Sequence, residues 1–344
     1  MKYSTDKSFC EELDQKDSLK SYKDLFFIPK NKQGKELIYF CGNSLGLQPK
    51  KTKEYIIQEI DDWKTHAVEG HFHAKNPWLP YHEMLSASYS KLIGAKRSEV
   101  IAMNTLTVNL HLMMVSFYKP EKNKFKILIE KDAFPSDIYA VESQIEFHGF
   151  KTDEALIKLE PRKGEYYIRQ EDIEKIIKEN SNEIALILIG GVNYYTGQLF
   201  DMQKITKVGH EHGIVVGFDL AHAIGNVKLE LSKWNVDFAV WCSYKYLNSG
   251  PGAIAGAFVN ERFHNVELPR FTGWWGHNKK ERFLMDDKFK PIKSAEGWQL
   301  SNPPIFSLAP VFASLSIFDK VGMDDLIKKS KALTNYLEFL IKSI

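Results

Sequence analysis

Three residues stand where chemistry is expected. Asp219 closes the apolar run Ile214–Phe218, His222 follows three residues later, and Lys245 leaves the next apolar run, Phe238–Cys242. A carboxylate at the mouth of a buried strand costs several kcal/mol unless it is paired. Its partner is either structural, such as an Arg or a helix N-terminus, or the protonated ring nitrogen of a pyridine cofactor. Loss of hydration favours the neutral form of an amine, and a neutral amine can form a Schiff base. Most strand-end lysines instead snorkel to solvent. It is the joint pattern that points to pyridoxal phosphate, whose enzymes need a lysine for the Schiff base and an acid for the pyridinium nitrogen. A phosphate site is then required. The run Val100–Met103 passes through Asn104 and Thr105 into a helix beginning near Thr107. Free backbone N–H groups there, with the Thr105 and Thr107 hydroxyls, suit an anion. Either Thr could equally serve as a plain helix cap. Phe134, in Phe134-Pro135-Ser136-Asp137, is the candidate cover for the ring. Its alternative is core packing, with Ser136 or Asp137 as an N-cap.

To hold such residues together the chain needs a sheet whose strand ends converge. Short runs rich in Ile, Val and Phe occur at Phe125–Glu130, Ala155–Leu159, Ile184–Gly190, Ile214–Asp219, Phe238–Ser243 and Ala253–Val259. Several are too uniformly apolar for one wet face, as expected of strands covered on both sides. Helical patterns separate the earlier ones, near Ser136–Phe147, Gln170–Glu179 and Asp201–His212. Gly213 is placed to stop the third, with His210 and His212 as cations in its last turn. Strand–helix alternation predicts an α/β fold, a mostly parallel central sheet with helices on both faces. Helices are also predicted after Pro49, over Pro80–Leu92 and over Thr107–Tyr118. In the first of these, Ile56, Ile57, Ile60 and Trp63 form an apolar stripe. Two helices, Ile305–Lys320 and Met323–Ser343, close the chain.

Composition limits the partners. The 344 residues are 44% hydrophobic and 26% charged, the mix of an ordinary globular protein with a large core. Forty-six basic and 44 acidic side chains leave a formal charge of +2, too balanced to attract nucleic acid. Cys10, Cys41 and Cys242 are too few and too scattered for a disulfide framework or a zinc site, and fit a reducing compartment. No apolar run reaches the roughly 20 residues of a membrane span, and Met1–Asp6 lacks a signal-peptide core. The default expectation is a cytoplasmic protein. His71 and His73 have no further ligands nearby, so no metal site is expected. The glycines of Gly250–Gly256 lead into a strand, not a helix, which removes the mechanism of a dinucleotide loop. Trp274 and Trp275 sit between Gly273 and Gly276, where a binding role competes with plain burial.

Along its length, from about Phe9 to Ile344, the sequence resembles the kynureninase family, pyridoxal-phosphate enzymes of the fold type I (aspartate aminotransferase) superfamily. The resemblance is carried by Phe40-Cys-Gly-Asn-Ser-Leu-Gly-Leu-Gln-Pro49, Met103-Asn-Thr-Leu-Thr-Val-Asn-Leu-His111 and Phe134–Asp137, then by Gly191–Gln198, Phe218–Asn226 and Trp241–Asn248. Gly273-Trp-Trp-Gly-His277 and Ser301-Asn-Pro-Pro304 follow in the family's order. It implies hydrolysis of L-kynurenine to anthranilate and L-alanine, or of the 3-hydroxy forms, within tryptophan catabolism toward NAD precursors. It implies that Lys245 carries the cofactor and moves the Cα proton, that Asp219 pairs with the ring nitrogen, and that His222 and Tyr244 hold the cofactor, with Tyr244 also a candidate proton relay. It places Leu106 and Thr107 at the phosphate and Phe134, Pro135, Ser136 and Asp137 around the ring. Trp274 and Asn302 are implied to reach the site from the facing subunit of a homodimer. Ser44, His71, Trp275 and Asn302 are implied on the substrate side.

Three units are expected: an N-terminal segment over 1–48, a large cofactor-binding domain over 49–304, and helices over 305–344 leading into a small domain. Family members continue past the position of Ile344 into the rest of that small domain, which includes an arginine for the substrate carboxylate. The corresponding expectation is a truncated chain in which cofactor binding survives better than catalysis. The rival readings are an inactive, cofactor-binding form and another fold type I enzyme, such as a class V aminotransferase or a cysteine desulfurase.

Overall fold

The computed structural model describes residues 3–344; Met1 and Lys2 of the opening segment lie outside the described residues. Seven strands form one sheet: β1 (Val100–Ala102), β2 (Lys126–Glu130), β3 (Leu156–Leu159), β4 (Ile184–Gly190), β5 (Val215–Asp219), β6 (Phe238–Trp241) and β7 (Gly256–Val259). Their spatial order is β1-β7-β6-β5-β4-β2-β3. The pairs β3–β2, β2–β4, β4–β5 and β5–β6 are parallel, while β7 runs antiparallel to both β6 and β1. The run Ile184–Gly190 is recovered in full and the other predicted runs are shorter by one to three residues, the usual margin at element ends.

The helices are α1 (Lys7–Lys16), α2 (Thr52–His66), α3 (Gly70–His73), α4 (Tyr81–Ile93), α5 (Leu106–Phe117), α6 (Pro135–Phe147), α7 (Thr152–Ala155), α8 (Gln170–Glu179), α9 (Met202–Glu211), α10 (Ile305–Val321) and α11 (Met323–Lys342). They bury the sheet from both sides, and alternate strand residues feed two separate cores. Ile187, Ile189, Val216 and Phe218 pack under α4, α8, α9 and α10. Leu186, Leu188, Phe238 and Val240 pack under α5 and α6. A period of two in a strand with no polar face produces this two-sided burial.

Two helices depart from expectation. In α2 the buried residues are Thr52, Glu59 and Asp62, whereas Ile57, Ile60 and Trp63 face outward, Trp63 at 59% exposure. The inward carboxylates have fixed work: Glu59 accepts from the Trp78 indole at 2.9 Å and Asp62 from the Lys75 amide at 3.1 Å. At the end of α9, His210 is not a simple terminal cation. It bonds the buried carboxylate of Asp237 at 2.8 Å, on which Arg262 also closes. No helix among the described residues is both long and apolar enough to cross a membrane.

Candidate active site

The chain reverses direction across the sheet between β2 and β4, where β3 lies on one side and β5 and β6 on the other. Strand ends on either side of such a reversal leave a crevice. Here it is a cavity of about 150 Å³, bounded by Glu130 at the end of β2, Gly190 at the end of β4, Asp219 at the end of β5, and Tyr244 and Lys245 just beyond β6. Leu106, Thr107, Phe134, Ser136, Asp137, Val192, Tyr194, Ala221 and His222 complete its wall.

One end of the cavity is built for an anion. Helices α5 and α6 both begin there, and neither has a side-chain cap at its N-terminus. The alternatives in which Thr105, Ser136 or Asp137 caps a helix are therefore not adopted. Free N–H groups at helix starts attract negative charge. The Thr107 and Ser136 hydroxyls meet at 2.8 Å across the same corner, and Pro135 stiffens the first turn of α6.

The other end is acidic. Asp219 is buried, with Oδ1 accepting the Ala221 amide at 2.7 Å. Asp137 comes off α6 into the same space, and its buried Oδ1 has no hydrogen-bond partner. Burial, then the charge of Asp219, hold Asp137 well above the ordinary carboxylate range, and burial raises Asp219 as well. Beyond the Ala221 amide and a proton shared between them, the two carboxyls have room for a further donor. A protonated pyridine nitrogen beside Asp219 is such a donor, and the uncapped helix starts fit a phosphate. The residues present thus fit pyridoxal phosphate at both ends.

Between the ends lie the amine and the rings. The Lys245 Nζ is 2.8 Å from His222 Nε2 and 5.4 Å from the centre of the Phe134 ring. Burial and the neighbouring lysine push His222 down to about 4, so at neutral pH its ring is uncharged and can accept a hydrogen bond from the Lys245 amine. The Tyr244 hydroxyl is pushed up to about 12 by burial and stays protonated. The backbone here is fixed from the N-terminal segment. The Gly46 amide donates to the Tyr244 carbonyl at 2.8 Å, and the Asn248 amide side chain to the Leu47 carbonyl at 3.0 Å. A Cβ at Gly46 would lie 2.3 Å from the Lys245 carbonyl, so only glycine allows this approach.

The remaining candidates lie outside this cavity within the single chain. Ser44 is exposed in the turn opened by Cys41, and Asn302 is exposed before α10. His71, on α3, packs edge-on against Trp78, and its buried Nδ1 is unpartnered. Trp275 is buried with the Arg282 guanidinium 4.2 Å from its ring. Trp274 is 41% exposed and donates to the Arg282 carbonyl at 3.1 Å. Glu130, Gly190, Val192, Tyr194 and Ala221 line the cavity without an assignment from the sequence, and two of them carry polar side chains. Tyr194 stands edge-on to Phe134 at 5.2 Å, presented by a turn in which Asn193 Oδ1 accepts two amides. Glu130 is wholly enclosed. Its signal was available: an acid closing an apolar run, as Asp219 does.

This sheet and cavity define a protein of the class-V aminotransferase type: the family described as "Aminotransferase class-V" matches residues 38–344. The fold is shared with a cysteine desulfurase of Escherichia coli (TM-score 0.74, 14% identity, covering 94% of this chain and 77% of that one). It is shared too with a C-DES mutant carrying glycine linked to its PLP cofactor (TM-score 0.71, 14% identity, 84% and 73% covered). Sequence narrows the class. A kynureninase of Flavobacterium psychrophilum is 55% identical over 98% of this chain and 79% of its own length. One of Myxococcus xanthus is 54% identical over 98% and 80%. One of Nematostella vectensis is 49% identical over 97% and 75%. The chain belongs to the kynureninase family.

Proposed function

We propose that the protein is a pyridoxal-phosphate-dependent hydrolase that cleaves the Cβ–Cγ bond of L-kynurenine or its 3-hydroxy form, releasing anthranilate or 3-hydroxyanthranilate and L-alanine. The observation that carries the reading is the cavity itself, with Lys245, the Asp137–Asp219 pair and two uncapped helix starts around one space. When bound, the cofactor supplies an electron sink for the carbanion chemistry at Cα and Cβ. Lys245 holds it covalently and then moves the Cα proton. Asp219 keeps the ring nitrogen protonated, and Asp137 shares that burden. Leu106 and Thr107, with Ser136 and Pro135, receive the phosphate. Phe134 covers the ring, and His222 accepts from the lysine and keeps its amine directed inward. Tyr244, protonated at neutral pH, is suited to deliver a proton at the carbon released by cleavage.

The same reading includes a homodimer. Its support is the apolar face of α2 left outward by Ile57, Ile60 and Trp63, continued by Phe306 at 6.0 Å from Trp63. In that dimer Trp274 and Asn302 complete the partner's site, with Ser44, His71 and Trp275 toward the substrate. Free cysteines and near-neutral charge agree with a cytoplasmic setting.

The test is to load the chain with pyridoxal phosphate, add L-kynurenine, and follow anthranilate by fluorescence. Turnover is expected, and Lys245→Ala should lower it by about 10³-fold. A loaded protein that shows the lysine-linked absorption band but forms no product is a cofactor-binding, inactive form. Turnover of cysteine instead of kynurenine assigns the chain to the desulfurases.

A further inference from the structure

Glu130 takes no part in the roles above, yet it shares the cavity with them. It ends β2, two strands away from Asp219. The strand between is β4, and its last residue, Gly190, pairs in register with Asp219. Gly190 has no side chain to stand between the two carboxyls, both of which line the cavity with Asp137. A Cβ there would lie 2.8 Å from Glu130 Oε1. The Gly190 amide donates to both Glu130 oxygens, at 3.1 and 3.2 Å. Among the described residues no side chain donates to the carboxyl, which is held by backbone N–H groups alone, and a buried carboxylate ordinarily needs more. The charged and titratable groups facing this space are Asp219 from β5, Asp137 from α6, His222 beyond β5, and Tyr244 and Lys245 beyond β6. Two of the five are carboxylic acids, and Lys245 is the one basic amine among them.

From this geometry we infer that Glu130 is a positioning residue that acts through Asp219, its charge raising the proton affinity of Asp219 and so tightening that residue's hold on the ring-nitrogen proton. The inference rests on the functional reading above. Burial, followed by the charge of Asp219, pushes Glu130 up to about 7, so its charge switches within the working pH range. At low pH the site holds a neutral Glu130 and a weaker Asp219. As pH rises Glu130 ionises, and its negative charge makes a proton held at Asp219 harder to remove.

The test uses the full chain loaded with pyridoxal phosphate labelled with ¹⁵N in the ring, whose chemical shift reports protonation of that nitrogen directly. Glu130→Gln keeps an oxygen acceptor for the Gly190 amide and removes only the charge, so a purely structural role would leave the shift unmoved. The expected result is that the variant loses the ring-nitrogen proton at a pH lower by about one unit than the unmodified protein. Identical titration curves overturn the inference while leaving the functional reading intact. An unmodified protein that takes up no pyridoxal phosphate overturns both. The unmodified protein also provides a test that needs no variant. Its ¹⁵N resonance should move in a distinct step in the neutral range as Glu130, raised by burial, titrates. A resonance that is flat across that range overturns the inference.

Discussion

At the scale of single residues, the site is a set of groups held in states they would not choose in water. Asp137, Asp219 and Glu130 are all raised by burial, while His222 is driven down to about 4. These shifts oppose each other in their effect on stability. A carboxyl raised in the folded state contributes stability below its unfolded value, and loses it as pH climbs through the folded value. A histidine depressed to about 4 contributes above its ordinary value of 6.5, and loses stability as pH falls toward 4. The three acids outweigh the one histidine, so on these groups the cofactor-free protein should lose stability as pH climbs above the acids' unfolded values, softening on the alkaline side as they ionise together. Asp137→Asn removes one ionisation from the cluster. Its melting temperature without cofactor should exceed that of the unmodified protein by a few degrees at pH 8, with the gap narrowing at pH 5. A gap that stays constant with pH places the strain elsewhere. Asp219, His222 and Lys245 were readable because each sits within a residue or two of a strand end or turn. Glu130 gave the same signal, an acid closing an apolar run, but with no His or Lys following it at the next strand end it drew no assignment. Asp137 looked like a helix cap, and only the packing of α6 against the sheet turns it inward.

At the scale of elements, the sequence carries the strands well because each is apolar on both faces, a pattern that only a covered sheet satisfies. It carries α2 badly. Ile57, Ile60 and Trp63 read as the core face by spacing alone, and the rule that apolar stripes face inward fails where an outward face has its own use. The inward face is instead committed to Glu59 and Asp62 by partners 13 to 19 residues away, which no local pattern reveals. The helix starts that frame the phosphate corner give the prediction that belongs here. Thr107→Val removes a hydroxyl from the junction of α5 and α6 but leaves both backbones as they are. A hydrogen bond to a charged group contributes about 1.5–3 kcal/mol, so affinity for pyridoxal phosphate should fall by about tenfold or more. The melting temperature without cofactor should hardly move. Cofactor titration followed by fluorescence measures the first quantity and calorimetry the second.

At the scale of the whole molecule, the outward face of α2 and the exposed Trp274 belong to one question, whether a single copy is a finished enzyme. Within one chain, neither Trp274 nor Asn302 lines the cavity. Trp63→Glu places a charge in the middle of the α2 face without touching the cavity. It is expected to convert a dimer to a monomer in sedimentation velocity and to lower turnover, with the lysine-linked absorption band retained. A Trp63→Glu protein that stays dimeric moves the interface off this face. The cavity also has a history written into its connections. Leu47 and Asn248, whose contact helps fix the lysine loop, lie 201 residues apart along the chain. Closing so long a loop costs entropy that only the completed sheet can offset. During synthesis the N-terminal segment must therefore wait, undocked, until the chain has been made past Asn248. The lysine loop is then among the latest parts of the protein to settle, so a newly made chain acquires its fold before it acquires its reactivity.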